Sequence, residues 1–213
     1  IGHPTNDLDV LNAYPSSDGN CVSFSNSVNY SRVIQKIDTN LNILWNACIP
    51  IDPMVSEYDI FRGVAAEMDN RHHALHGNQW LTYNQTGTLV RSKRYMNGFD
   101  AENKFDLSAL DKLKNNQYII GGHICDQAGY HSDPFVMITD SLGTIINSVK
   151  YDVPEDFTNQ ITAMYVLSEN SIVAIGNLYN GAFALGLDGD LNLKWAKKYT
   201  GANFYTHSIT KVN

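Results

Sequence analysis

Apolar residues in this chain come in short runs separated by turns rich in Asp, Asn, Ser and Gly, a pattern that reads as strands throughout. The clearest unit is 135–151, FVMITDSLGTIINSVKY, an apolar strand, a tight turn at 140–144 and a second strand that returns antiparallel and ends on a tyrosine. The same unit recurs as VIQKIDTNLNILWNACI at 33–49, QWLTYNQTGTLVRSKRY at 79–95 and FALGLDGDLNLKWAKKY at 183–199. Two more strand-like runs precede each copy. They are LDVLNAYP with CVSFSN, IFRGVAAE with HHALHGN, FDLSALDKL with YIIGGHI, and QITAMYVL with SIVAIGN.

The residues that open the hairpin turns, Asp38, Asn84, Asp140 and Asp188, recur at intervals of 46, 56 and 48 residues. Four antiparallel strands per repeat at such a period predict an all-β fold, a β-propeller of four-stranded antiparallel blades. The blades fall at about 7–49, 58–95, 105–151 and 159–199, and 204–213 reads as the first strand of a fifth. The chain is thus expected to be one propeller domain or part of one. The open fifth copy predicts either a longer polypeptide or self-association through Ile209 and Val212. Near-continuous apolar runs such as FVMI and SIVAI fit strands buried on both faces.

Tight turns need residues that tolerate positive φ, which points to Asn40, Asn42, Gly87, Gly143 and Gly189. The opening Asp or Asn can accept hydrogen bonds from the amides of its own turn. Tyr95, Tyr151 and Tyr199 stand eleven residues after their turn openers, with Ile49 in the first copy, and are expected to pack between blades. Trp45 and Trp195 stand seven after and are expected to pack near turns.

Charge narrows the possible partners. A net charge of -7 opposes the general attraction to phosphate backbones, so nucleic acid is not an expected partner. No apolar run approaches the roughly 20 residues that a membrane-spanning helix needs. Only 17% of residues are charged, with Asn, Ser and Thr common, a surface suited to an exported protein. Cys21, Cys48 and Cys125 lie far apart without CxxC spacing, so neither a zinc site nor a disulfide is expected.

Candidate chemistry is sparse. In Arg71-His72-His73-Ala74-Leu75-His76, a strand would put His72 and His76 on one face about 13 Å apart and His73 on the other, too far to share a zinc ion. His72 and His73 read as a turn and strand edge, and His76 as a partly buried, hydrogen-bonded residue. GxSxG, P-loop, GxGxxG and HExxH motifs are absent. The carboxylates are scattered through turns, where Asp is favoured for turn chemistry alone. The expectation is a non-enzyme without a cofactor.

Asp38-Thr39-Asn40-Leu41-Asn42-Ile43-Leu44-Trp45 and Asp188-Gly189-Asp190-Leu191-Asn192-Leu193-Lys194-Trp195, with YIIGG at 118–122, TDSLGT at 139–144 and KKYTG at 197–201, resemble the repeat of secreted Bacteroidetes-type β-propellers. The resemblance covers essentially the whole chain. It implies a propeller fold and export, often by type IX secretion, though the second copy departs with HHALHGN and with Arg91 in place of tryptophan. The turns also resemble sialidase Asp-boxes and quinoprotein repeats, but a sialidase's arginine triad has no match here.

In a propeller, loops joining strands two and three, and strand four to the next strand one, emerge on one face. Here these are NSVNYSR, PIDPMVSEYD, MNGFDAENK, ICDQAGYHSDP and VPEDFTN, with the short 179–181 turn. They gather the candidate ligand-binding residues Tyr58, Phe99, Asp100, Asp126, Tyr130, His131, Asp133, Phe157 and Tyr179, beside further carboxylates. Aromatics among acidic groups suit a sugar, a peptide or protein, or a calcium-assisted contact. Asn26, Asn78, His123 and Asn177 end the second strands and either line a central pocket or tie loops together. The expected function is a non-catalytic interaction module, extracellular or on the cell surface. The alternatives are the propeller portion of a secreted polysaccharide hydrolase or lyase, and a structural spacer of an adhesin or filament.

Overall fold

The computed structural model describes residues 9–26, 32–49, 65–95, 104–125, 132–152, 159–201, 206, 208 and 209. Every element among them is a strand, and the strands form four four-stranded antiparallel sheets. The first sheet holds β1 (Asp9–Pro15), β2 (Cys21–Asn26), β3 (Arg32–Ile37) and β4 (Ile43–Ile49), and the second β5 (Ala65–Met68), β6 (Arg71–His76), β7 (Gln79–Tyr83) and β8 (Leu89–Arg94). The third holds β9 (Lys104–Lys112), β10 (Tyr118–Cys125), β11 (Ser132–Thr139) and β12 (Ile145–Lys150), and the fourth β13 (Gln160–Ser168), β14 (Ser171–Leu178), β15 (Gly181–Leu187) and β16 (Leu193–Thr200). Each sheet is a meander in which consecutive strands pair. The fold is all-β, and the sheets are the blades of a β-propeller. No helix among the described residues is long and apolar enough to cross a membrane.

The chain divides into two compact units, Ile1–Lys93 and Arg94–Asn213. In the first, Val22, Phe24 and Ile34 pack with Ala74, Leu81 and Tyr83 across the first and second blades, and Ile49 closes the cluster. In the second, Ala109, Ile119, Val136 and Ile138 pack against Ile161, Met164, Ile172, Ala174, Phe183 and Leu185. These strands bury both faces, so apolar side chains stand at successive positions in place of strict alternation. β15 is buried along its whole length, whereas β16 beside it is exposed at every residue.

The four hairpin turns share one hydrogen-bond pattern. The Oδ1 of Asp38 accepts the backbone N–H groups of Asn40 and Asn42 at 2.8 Å each. Asn84 Oδ1 accepts those of Thr86 and Thr88, Asp140 Oδ1 those of Leu142 and Thr144, and Asp188 Oδ1 those of Asp190 and Asn192. The expected role of the opening residue is therefore what the structure contains. The positive-φ residue is another matter. It stands three after the opener in every copy: Leu41 at 66°, Gly87 at 78°, Gly143 at 80° and Leu191 at 68°. In the first and fourth turns the left-handed position thus falls to leucine and not to Asn40, Asn42 or Gly189. Asn42 instead donates its side-chain amide to Asp38 Oδ2, and Gly189 is small because a Cβ there would lie 2.4 Å from the Glu169 carbonyl oxygen.

The tighter turns between first and second strands follow the sequence closely. Asp69-Asn70 and Asn115-Asn116 each place two successive residues at positive φ, the geometry of a type I′ hairpin. Thr206 lies outside any strand, and its N–H and hydroxyl both donate to Asn177 Oδ1. Cys21, Cys48 and Cys125 are free thiols.

Candidate functional site

Outer strands carry the contacts that join neighbouring blades. In β4 the Trp45 indole N–H donates to the Gln85 carbonyl in the turn of the second blade at 3.0 Å, and its ring fills the space where a Cβ at Gly87 would stand. In β12 the Asn147 amide donates to the Asp190 carbonyl at 3.0 Å, and just beyond the strand the Tyr151 hydroxyl donates to the Leu191 carbonyl at 2.8 Å. Tyr151 thus packs between blades as expected, and burial holds its phenol well above the usual tyrosine range. Trp45 packs on a turn, also as expected. Tyr199 does not follow, being 50% exposed.

A polar network fills the end of the first unit where the turns between strands one and two, and three and four, lie. The Glu67 carboxylate accepts Ser16 Oγ, Ser17 N and Ser17 Oγ at 2.6, 2.8 and 2.6 Å, and the Gln85 amide at 3.1 Å. Burial alone would raise its pKa, but the serine donors bring it down to about 2. The buried Lys36 ammonium donates to Gln85 Oε1 at 3.1 Å and pairs with Asp18 at 2.6 Å. This network crosses both blades of the unit and leaves none of its named charges without a partner.

The histidine run is more buried than its sequence suggests. His72, His73 and His76 are 0%, 0% and 2% exposed, so the expected strand edge at His72 and His73 is wrong. The His72 ring lies 5.5 Å from Trp45, and its Nδ1 is 3.0 Å from the Tyr14 hydroxyl. Burial pushes the His72 pKa down, with Glu67 opposing. His73 accepts the Trp80 indole N–H at Nδ1, 3.1 Å away, and its Nε2 lies 3.2 Å from the Met68 carbonyl. That arrangement suits a neutral imidazole protonated at Nε2, and burial brings the pKa down to about 4. His76 meets the Arg32 guanidinium, the hydrogen-bonded role expected for it. Among the described residues no three His, Cys, Asp or Glu side chains gather as metal ligands would.

Of the nine candidate ligand-binding residues, Asp133 and Tyr179 are described. Tyr58, Phe99, Asp100, Asp126, Tyr130, His131 and Phe157 lie outside the described residues. Asp133 accepts Lys150 Nζ at 3.0 Å, and Lys150 also pairs with Asp152 at 3.2 Å; these carboxylates raise the lysine pKa. Tyr179 is 64% exposed at the tight turn joining β14 to β15. Of the polar second-strand ends, Asn177 ties a segment in place through Thr206. The described clefts sit at the opposite strand ends. One of about 360 Å³ lies between Tyr14, Asn20 and Asp38, and another of about 620 Å³ between Lys112, Asn116 and Glu169. Both are open and shallow, and nothing in the residue pattern marked them.

No protein-family model matches the chain, and no curated protein does either. Solved structures do. The WD40 domain of Neurospora crassa Pan2 superposes with a TM-score of 0.61 at 15% identity, covering 94% of this chain and 53% of that one. A Penicillium chrysogenum α-L-arabinanase complexed with arabinobiose gives 0.56 at 9%, covering 90% and 66%. A Bacteroides caccae protein of unknown function gives 0.55 at 7%, covering 85% and 58%. These likenesses define the class as β-propeller. The chain spans between 53% and 66% of the lengths of these structures.

Proposed function

We propose that this chain is a non-catalytic interaction module of an exported or cell-surface protein, engaging a glycan or a protein through the face that carries the loops between strands two and three. The observation that carries this reading is how the described carboxylates are used. Asp188 is held by Lys194 and then by its own turn amides, Asp38 by the Asn42 side chain and its turn amides, and Asp140 by its turn amides, which lowers the pKa of each, and Asp133 holds Lys150. Groups engaged in this way serve as framework, and Tyr179, 64% exposed on this face, is the contact residue this reading puts forward. The likeness of the repeats to secreted Bacteroidetes-type propellers supports export. Propellers also host hydrolases, so the fold alone favours neither binding nor catalysis.

Glycan and protein arrays run beside a polysaccharide hydrolysis screen test the reading. Binding without turnover, weakened by Tyr179→Ala, is the expected result. Release of reducing ends by the purified chain would overturn it.

A further inference from the structure

Among the described residues β4, β8, β12 and β16 each end their sheet and pair on one side only. Such an edge offers unpaired backbone N–H and C=O groups to another chain, and natural sheets guard it with charge, lysine above all. Three of the four are guarded in this way. β8 carries Arg91, Lys93 and Arg94, β12 ends on Lys150, and β16 carries Lys194, Lys197 and Lys198. β4, with the sequence ILWNACI, carries no charge at all. Ten residues after the turn opener, where the other copies hold Arg94, Lys150 and Lys198, it holds Cys48.

This edge is open whatever precedes the first blade. Strand alternation turns Trp45, Ala47 and Ile49 to the second blade, where they join its cluster, and leaves Asn46 and Cys48 on the other side, both exposed. The equivalent residues are Ser92 and Arg94 in β8 and Ala196 and Lys198 in β16, and they are exposed as well. Both of those strands belong to blades that pack, on that side, against another blade of their own unit. The outer strand therefore stands clear of the blade before it. The pairing of β4 with β3 is regular from Trp45 to Ile49 and shifts only ahead of that stretch, so five consecutive residues, a usual strand length, present a regular edge.

We infer that the edge from Trp45 to Ile49 pairs antiparallel with the same strand of a second copy of this chain, joining two first blades into one sheet about a two-fold axis. Pairing centred on Ala47 sets Trp45 opposite Ile49 of the second copy and Asn46 opposite Cys48, each of them twice. An aromatic residue against a β-branched one is a favourable cross-strand pair, and no charge meets another anywhere along the contact. The other outer strands do not fit themselves in this way. β8 or β16 paired with its own copy would crowd cations together, and a strand docking on β12 would meet Lys150 and its bonds to Asp133 and Asp152. A two-fold contact also closes at two copies, since each β4 edge is used once. The edge is separate from the loop face, so it stands or falls independently of the function proposed above.

Sedimentation of the whole chain over a wide concentration range, with reductant present throughout, tests it. The expected result is a weak monomer–dimer equilibrium, because one strand edge falls short of the roughly 1,000 Å² that a stable interface buries. Asn46→Lys and Cys48→Lys, which give β4 the guard its equivalents have, should each raise the dissociation constant about tenfold or more. Ser92→Lys, the same change at the equivalent exposed place in β8, should leave it unchanged, as should Cys48→Ser and Tyr179→Ala. Amide exchange from Trp45 to Ile49 should slow as the concentration rises. All of these side chains are exposed, and unaltered melting curves would show that the variants fold. A chain that stays monomeric overturns the proposal, and an unrelated extended peptide that binds it through β4 would give the edge to a foreign strand. Association that survives both lysine variants, that is lost equally in Ser92→Lys, that needs the thiol of Cys48, or that grows beyond two copies overturns it as well.

Discussion

The turn that closes the first blade and the turn that closes the fourth are the same piece of backbone in different surroundings. Leu41 and Leu191 both adopt a left-handed conformation, at φ 66° and 68°, beneath an aspartate that gathers the same two amides. Leu41 is 83% exposed, while Leu191 is 1% exposed, and its carbonyl takes the Tyr151 hydroxyl. The hydrogen-bonding of the opener thus fixes the turn, and the residue at the strained position is selected by what lies over it. Where Trp45 presses on the second turn, that residue is Gly87. Where smaller Asn147 and Tyr151 reach over the fourth, there is room for leucine.

The largest effect should come from truncating the covered leucine. Leu191→Ala should cost about 2–5 kcal/mol, as for other buried leucines, and Leu41→Ala within about 0.5 kcal/mol. Urea denaturation of both variants checks this, and equal losses would break the comparison.

A second contrast separates the units by pH. The second unit's core cluster is aliphatic and aromatic, whereas the first buries His73 with a pKa of about 4. An unfolded histidine titrates near 6.5, so the unfolded chain binds the extra proton first as pH falls. Stability from this group is full above that value and is lost as pH falls from about 6.5 toward 4. Between pH 7 and pH 5 the loss should be about 2 kcal/mol. Denaturation at the two pH values should show it, and His73→Gln should remove most of the difference. A loss that persists unchanged in that variant would assign it elsewhere.

A smaller effect sharpens the contrast between equivalent tyrosines. Tyr151→Phe removes the bond to the Leu191 carbonyl and should cost about 1 kcal/mol, while Tyr199→Phe should leave the melting temperature unchanged. The smallest effect has the opposite sign. Leu41→Gly relieves the left-handed strain at an exposed site and should stabilise by up to about 1 kcal/mol, measured by thermal denaturation against the parent chain.

The strand order and the turn openers were legible because both depend on local chemistry: Asp or Asn at a fixed place between two apolar runs carries its own signature. The left-handed leucines were not. Leucine has no preference for positive φ, and only the four superposed turns reveal that Leu41 and Leu191 stand where Gly87 and Gly143 do. The histidines failed for another reason. RHHALH reads as polar, yet His73 is held by Trp80 and Met68 and His72 by Tyr14, partners that proximity in the fold supplies. The exposed position of Tyr179 is described, while seven of the nine residues proposed with it lie outside the described residues, so the loop face rests on sequence.

The bonds that join blades also set a schedule for synthesis. Within each sheet, pairing runs only between consecutive strands, so a blade can form as its own residues leave the ribosome. The contacts between blades point forward: Trp45 must wait for Gln85, and Tyr151 for Leu191, each 40 residues later. At about 5–20 residues per second, a nascent first blade would carry an uncovered indole for seconds before its partner emerges. That interval is when a chaperone has most to hold.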